Sequence, residues 1–179
     1  MKNRAVTVER VIHAPAQRIF EVLADPLQHR VFDGSGAVRD PRPTAPSRLS
    51  LGAKFVMRMR LRPPSAHPAD LVQVLVAIMN RGRLTNTVIE FEDGTQIAWR
   101  NFRRHVWRWH LQPVDNDSTI VRETFDYSTN TFPPLLELVG FPAKNAAAMT
   151  ATLDRLATLI AGEMEVTDTR CAAKDPEVR

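Results

Sequence analysis

TNTVIEFEDGTQIAWRNFRRHVWRWHLQPVDNDSTIVRETFDYS, residues 85–128, holds four runs of strand length broken by short polar turns. The runs are Thr85–Glu92, Thr95–Phe102, His105–Val114 and Thr119–Ser128. Asp93-Gly94 between two of them is a strong short-range hairpin signal, because both residues tolerate the positive φ of a tight turn. Asp115-Asn116-Asp117-Ser118 separates the last two. These signals predict a four-stranded antiparallel meander. A two-residue turn at Asp93-Gly94 pairs Phe91 with Gln96, and on that register an inward Trp99 requires a bulge.

On the N-terminal side, Ala5 to His13 alternates with period two and reads as a half-buried strand. Ala14-Pro15 then opens a short helix carrying Ile19, Phe20 and Leu23, which Asp25-Pro26 stops. Pro26 opens a second short helix ending near Phe32, followed by the turn Asp33-Gly34-Ser35-Gly36, whose two glycines are free to take positive φ. Arg39 to Ser50, with Pro41, Pro43 and Pro46, reads as a loop. Phe55, Met57, Met59 and Leu61 alternate with Val56, Arg58, Arg60 and Arg62, giving a strand with its methionines inward. Ala69 to Asn80 fits a buried strand or a short helix, and Asp70 as cap with Gly82 as terminator favours the helix.

On the C-terminal side, Pro133-Pro134 ends the sheet, Leu135–Val139 stands alone, and a long helical stripe follows Gly140-Phe141-Pro142. Its apolar positions are Ala146, Met149, Leu153, Leu156, Ala157, Ile160 and Met164. The expected organisation is one domain over residues 1–164 and a flexible tail over 165–179. Strand, two short helices, many antiparallel strands and a long final helix make an α+β chain.

The 179 residues carry a net charge of +4 and are 44% hydrophobic, which suits one globular core and excludes disorder and fibrous repeats. The single cysteine, Cys171, excludes an internal disulfide and suits a reducing compartment, so a cytoplasmic location is expected. No run reaches the roughly 20 apolar residues of a membrane span. The five histidines show no metal-ligand spacing, Ser35 lacks a nucleophile elbow around it, and no phosphate-cradling glycine loop is present. No metal and no cofactor are expected.

ADPLQHRVFDGSGAV after strand one, TNTVIEFEDGTQIAWRNF in the meander and LLELVGFPAKNAAAMTATLDRLATLI at the end resemble the START-related, birch-pollen-allergen-like superfamily SRPBCC. The nearest likeness is to its polyketide cyclase/dehydrase and lipid-transport branch, and it covers most of residues 5–162. The resemblance implies a helix-grip fold, a curved sheet wrapped around the terminal helix, with a cavity between them. Pro63 to Arg83 is longer than the usual link. Its apolar core, Leu71–Met79, reads either as a lid over the cavity or as an oligomer surface, which leaves a homodimer open.

Aromatics and cations interleave from Trp99 to His110, a pattern also found on single-strand nucleic-acid surfaces. On a strand, however, His105, Trp107, Trp109 and Leu111 share one face while Val106, Arg108, His110 and Gln112 share the other, so rings and cations separate. No nucleic-acid partner and no membrane insertion are therefore expected. The next strand offers Val121, Glu123, Phe125 and Tyr127, which sets Trp109 near Phe125 and Trp107 near Tyr127. The ligand-facing set comprises Phe20, Phe55, Met57, Met59, Trp99, Asn101, Trp107, Trp109, Phe125, Tyr127, Met149 and Leu153. Such side chains also simply fill cores. His105 and Glu123 form the candidate acid/base pair, since dehydration or aldol-type cyclisation needs a base and an acid, although each also has a structural reading as a rim histidine or an arginine partner. The expected partner is a small hydrophobic ligand, aromatic, polyketide- or lipid-like. A cofactor-independent cyclase or dehydratase in the same cavity is the alternative.

Overall fold

The period-two runs pair as one seven-stranded antiparallel sheet in a computed structural model that describes residues 4–60, 78 and 81–172, with side chains through Met164. The strands are β1 (Ala5–Ile12), β2 (Val38–Pro41), β3 (Lys54–Met59), β4 (Arg83–Glu92), β5 (Gln96–Asn101), β6 (Val106–Pro113) and β7 (Thr119–Asp126). Their spatial order is β1-β7-β6-β5-β4-β3-β2. β2 to β7 run as a meander, and β1 joins it at the far edge by pairing with β7, Ala5 opposite Asp126 and Ile12 opposite Thr119. The chain must therefore cross the sheet between β1 and β2, and helices α1 (Ala16–Ala24) and α2 (His29–Phe32) make that crossing. Helices α3 (Pro133–Leu138) and α4 (Phe141–Ala172) follow β7. α4 lies against β1, β7 and α2, which is the helix-grip arrangement.

Local chemistry explains most of these elements. Pro15 presets its φ at −58° and its carbonyl accepts the Arg18 and Ile19 amides, starting α1. Ile19, Phe20 and Leu23 are buried on one face. Leu153, Leu156 and Ile160 of α4 join them in one core with Ile97 and Leu111 of the sheet. Arg10 of β1 pairs with Asp154, and Arg18 of α1 with Glu163, clasping the helix from outside.

The β4–β5 turn has three residues, not two: Glu92 pairs with Gln96 and Gly94 takes φ +77°. The register then slips between Val88 and Glu90, so Val88 pairs with Trp99. This bulge switches the inward parity of β4 from Leu84, Asn86 and Val88 to Phe91, and it turns Trp99 inward at 9% exposure. Other expectations need correction. Val38–Pro41, which takes in the first three residues of the expected Arg39–Ser50 loop, is an edge strand, where a terminal proline removes no needed ladder bond. The second helix begins at His29, since Pro26 to Gln28 form a turn. The β6–β7 connection closes more tightly than assumed, with the Val114 amide on the Ser118 carbonyl at 2.8 Å. Trp107 therefore faces Phe125 and Trp109 faces Glu123, two residues from the expected pairing.

Helix α4 continues to Ala172, beyond the expected end of the ordered domain. No proline interrupts it before Pro176. The Leu71–Met79 segment and the lid-or-interface reading of Pro63–Arg83 fall almost wholly outside the described residues.

Candidate functional site

A cavity of about 530 Å³ lies between the inner face of the sheet, the α2–β2 loop and the first turns of α4. The apolar part of its lining follows from strand parity. Phe55, Met57 and Met59 come from β3, Trp99 from β5, Trp107 and Trp109 from β6, and Met149 from α4. Asn101, His105 and Glu123 line it too. Four expected residues stand outside the lining. Phe20 turns to Phe91, ring centroids 5.4 Å apart, because α1 covers the other end of the sheet. Leu153 lies one step further round the helix in the core with Leu156. Phe125 and Tyr127 stack at 5.5 Å in a second cluster with Leu136 and Met149. Phe125 supports the wall from behind, 4.7 Å from Trp107 and 5.2 Å from His105.

The α2–β2 loop is pressed onto α4. A Cβ on Gly34 would lie 2.2 Å from the Ala148 carbonyl oxygen and 2.4 Å from the Thr152 nitrogen, so only glycine fits. Gly36, by contrast, is glycine for its φ of +63°. The Gly34 amide donates to Thr152 Oγ1 at 2.8 Å, and the Asp33 carboxylate accepts from the Ser35 amide, the Ser35 hydroxyl and the Val38 amide. Ser35 is thus a turn serine held by its neighbour.

His105 is buried, 4% exposed, not on the rim. Asn130 fixes its protonation state. The Asn130 Oδ1 accepts the Phe132 amide at 2.9 Å, which leaves Nδ2 to donate both to the Arg103 carbonyl at 3.0 Å and to His105 Nε2 at 2.6 Å. His105 is therefore a neutral imidazole with its proton on Nδ1. Burial, then the Arg103 charge, lower its pKa from 6.5 to about 4. His29, which sequence reasoning did not select, also lines the cavity. It stacks on Trp99 at 5.1 Å and donates Nε2–H to the Leu23 carbonyl at 2.8 Å, and burial lowers its pKa.

Glu123 is 4% exposed and has no arginine partner among the described residues. Burial first, and the nearby Asp33 charge second, raise its pKa well above 4.5, so it favours the neutral acid. It does not touch His105. Glu123 is opposite Trp109, whereas the register puts His105 beyond Trp107 and Phe125, roughly 13 Å along the sheet at two strand repeats. The two groups face one cavity from separate positions.

Among the described residues, four buried side-chain atoms lack a hydrogen-bond partner: Asn86 Oδ1, Trp109 Nε1, Glu123 Oε2 and Asn145 Nδ2. All four residues line this cavity. Asn86 and Asn145 were missed, yet both carry a signal. Asn145 interrupts the apolar stripe of α4 one turn before Met149, and Asn86 sits between Leu84 and Val88 on the inward face of β4. No group of three or more His, Cys, Asp and Glu side chains among the described residues could hold a metal ion. No described helix is long and apolar enough to cross a membrane.

An apolar cavity of this size with a few placed polar groups, inside a helix-grip sheet, has the form of a small-molecule site. The chain belongs to the polyketide cyclase/dehydrase and lipid transport family, whose model matches residues 3–161, and so to the SRPBCC group. An uncharacterised protein of Mycobacterium tuberculosis, Rv0088, is 32% identical over 149 residues, 81% of this chain and 59% of that protein. The chain thus spans about three fifths of its curated relatives. The fold matches protein NE0264 of Nitrosomonas europaea with a TM-score of 0.62 at 16% identity, covering 92% of this chain and 99% of that one. It also matches a norcoclaurine synthase point mutant of Thalictrum flavum, solved with a transition-state analogue, with a TM-score of 0.61 at 12% identity over 89% and 95% of the two chains. The family description supports a ligand-binding or cyclase role, and the solved structures show the fold.

Proposed function

We propose that the cavity binds a small, largely apolar molecule, aromatic, polyketide- or lipid-like, that carries oxygen functions along its length. The observation behind this is the set of four unpartnered polar atoms. A buried donor or acceptor left unsatisfied costs about 1–3 kcal/mol, so four of them on one cavity are a cost that a ligand can relieve. Trp109 Nε1, Asn145 Nδ2 and a neutral Glu123 are donors and Asn86 Oδ1 is an acceptor, on residues that line the cavity. The atoms themselves are buried, so each side chain turns toward the cavity to meet a ligand. A carbonyl-bearing ring system satisfies the donors, and a hydroxyl satisfies Asn86. Trp99, Trp107 and Met149 supply apolar contact at roughly 25 cal/mol per Å² before entropy losses.

Fluorenone and fluorene test this reading, because they differ by one carbonyl. Displacement of an uncharged fluorescent probe should show fluorenone binding about tenfold tighter, and Trp109→Phe should shrink that difference. Equal affinities for the two compounds would refute it.

The raised pKa of Glu123 favours a second reading, a cofactor-independent dehydratase or cyclase. An acid whose pKa is raised by burial can deliver its proton to a leaving hydroxyl. His105 enters this scheme as a donor from Nδ1 to a substrate oxygen, since Asn130 occupies its Nε2 lone pair. Conversion of a β-hydroxytetralone to a naphthol and water, lost in Glu123→Gln with binding retained, is the expected result. Absence of turnover with wild-type protein leaves the binding role.

A further inference from the structure

We infer that the ligand carries an anionic group, a carboxylate or phosphate-type head, held by the Arg103 guanidinium at the His105 end of the cavity. This rests on the cavity-binding reading and narrows its ligand class.

Arg103 lines the cavity and is half-buried. Arg4, Arg18, Arg48, Arg108 and Arg122 each reach a carboxylate oxygen within 3.2 Å. Arg103 reaches none among the described residues, although a partly desolvated cation is costly unless paired. The turn that carries it is tightly built. The Asn101 side-chain oxygen accepts the Arg103 amide at 3.0 Å and the His105 amide at 3.3 Å. Asn130 holds the Arg103 carbonyl and the Thr129 hydroxyl holds the Arg104 carbonyl at 2.7 Å, with Arg104 in the left-handed region at φ +68°. A non-glycine residue in that region is strained, and four side-chain hydrogen bonds keep it there. The backbone is thus fixed at Arg103 while its side chain meets no carboxylate among the described residues.

The charge around the cavity agrees. Arg60, Arg83 and Lys144 also line it, against two acids. Asp33 keeps its charge while its oxygens are held by Ser35 and Val38, and Glu123 favours its neutral form. Among these cations Arg103 lies half-buried at the His105 end, whereas Arg60 and Arg83 are exposed. An anion on Arg103 would also offset the repulsion that Arg103 exerts on His105, coupling ligand binding to imidazole protonation.

Anilinonaphthalenesulfonate and phenylnaphthylamine share a ring system and differ by a sulfonate, so their affinity ratio isolates the anion. The sulfonate should bind wild-type protein at least tenfold tighter, about 1.4 kcal/mol. Arg103→Gln should remove most of that ratio, and Arg103→Lys should restore part of it. Binding of the sulfonate should raise the His105 pKa followed by NMR. Phenylnaphthylamine binding with a ratio unchanged in Arg103→Gln overturns this inference and leaves the cavity reading standing. Failure of both probes to bind overturns the cavity reading itself and this inference with it. Competition by dodecanoate, dodecyl phosphate and dodecanol then separates a carboxylate from a phosphate head, and dodecanol competing as well as either anion overturns the proposal.

Discussion

Replacing Glu123 by glutamine isolates the most unusual group in the cavity. In the folded protein Glu123 keeps its proton to a pH well above 4.5, because burial penalises the carboxylate and Asp33 adds repulsion. In the unfolded chain it ionises near its ordinary value. Between those two points the unfolded state holds fewer protons than the folded state, so stability falls as pH rises, by about 1.4 kcal/mol per pH unit. Glutamine keeps the shape and has no proton to lose. Glu123→Gln and wild type should therefore run parallel below about pH 4 and separate above it, the variant more stable. Urea unfolding at a series of pH values measures this, and the titrations of His29 and His105, common to both proteins, cancel in the difference. A constant offset between the two curves would show that Glu123 ionises normally in a wet site and would sink the reasoning.

Other perturbations follow from the same geometry. His105 titrates in the opposite sense: its folded pKa of about 4 lies below the ordinary 6.5, so wild type loses stability as pH falls through that interval, by about 3 kcal/mol in all. His105→Gln should show a flatter acid limb in urea unfolding, and an unaltered limb would contradict the burial argument. Gly34→Ala forces a methyl group onto the Ala148 carbonyl and should destabilise by about 1–3 kcal/mol, seen as a lower thermal midpoint. An unchanged midpoint would mean that the loop lifts off α4 freely.

The meander, the helix stripe and the inward face of β6 were all legible, because period two and period 3.6 are imposed by burial itself. Register was less so. Asp115 to Ser118 offers several polar residues that can close a turn, and only the backbone bond from Val114 to Ser118 decides which residues face each other. A choice two residues away keeps every side chain on its face while changing every neighbour, so Trp109 is correctly inward yet stands opposite Glu123 and not Phe125. The edge strand β2 escaped notice since its pairing is brief and irregular, with a slip between Val38 and Pro41. Phe20 was misassigned for a different reason. A helix period shows that a residue is buried and says nothing of which end of the sheet it covers.

The same distinction explains why the site is written as exceptions to the pattern. Asn86, Glu123 and Asn145 occupy inward positions where the periodicity of their own elements calls for apolar side chains, and nothing in the described protein satisfies their free atoms. A sequence under selection for stability alone would replace them, since a buried polar atom without a protein partner costs free energy. Arg103 is the same exception in charged form, fixed by its turn and left without a carboxylate. Leucine substitutions at Asn86 and Asn145 should accordingly stabilise the ligand-free chain while weakening its hold on oxygenated ligands, and thermal unfolding beside fluorenone binding reads both. Loss of stability in both variants would identify the two asparagines as structural and leave Trp109, Glu123 and Arg103 as the polar contacts of the site.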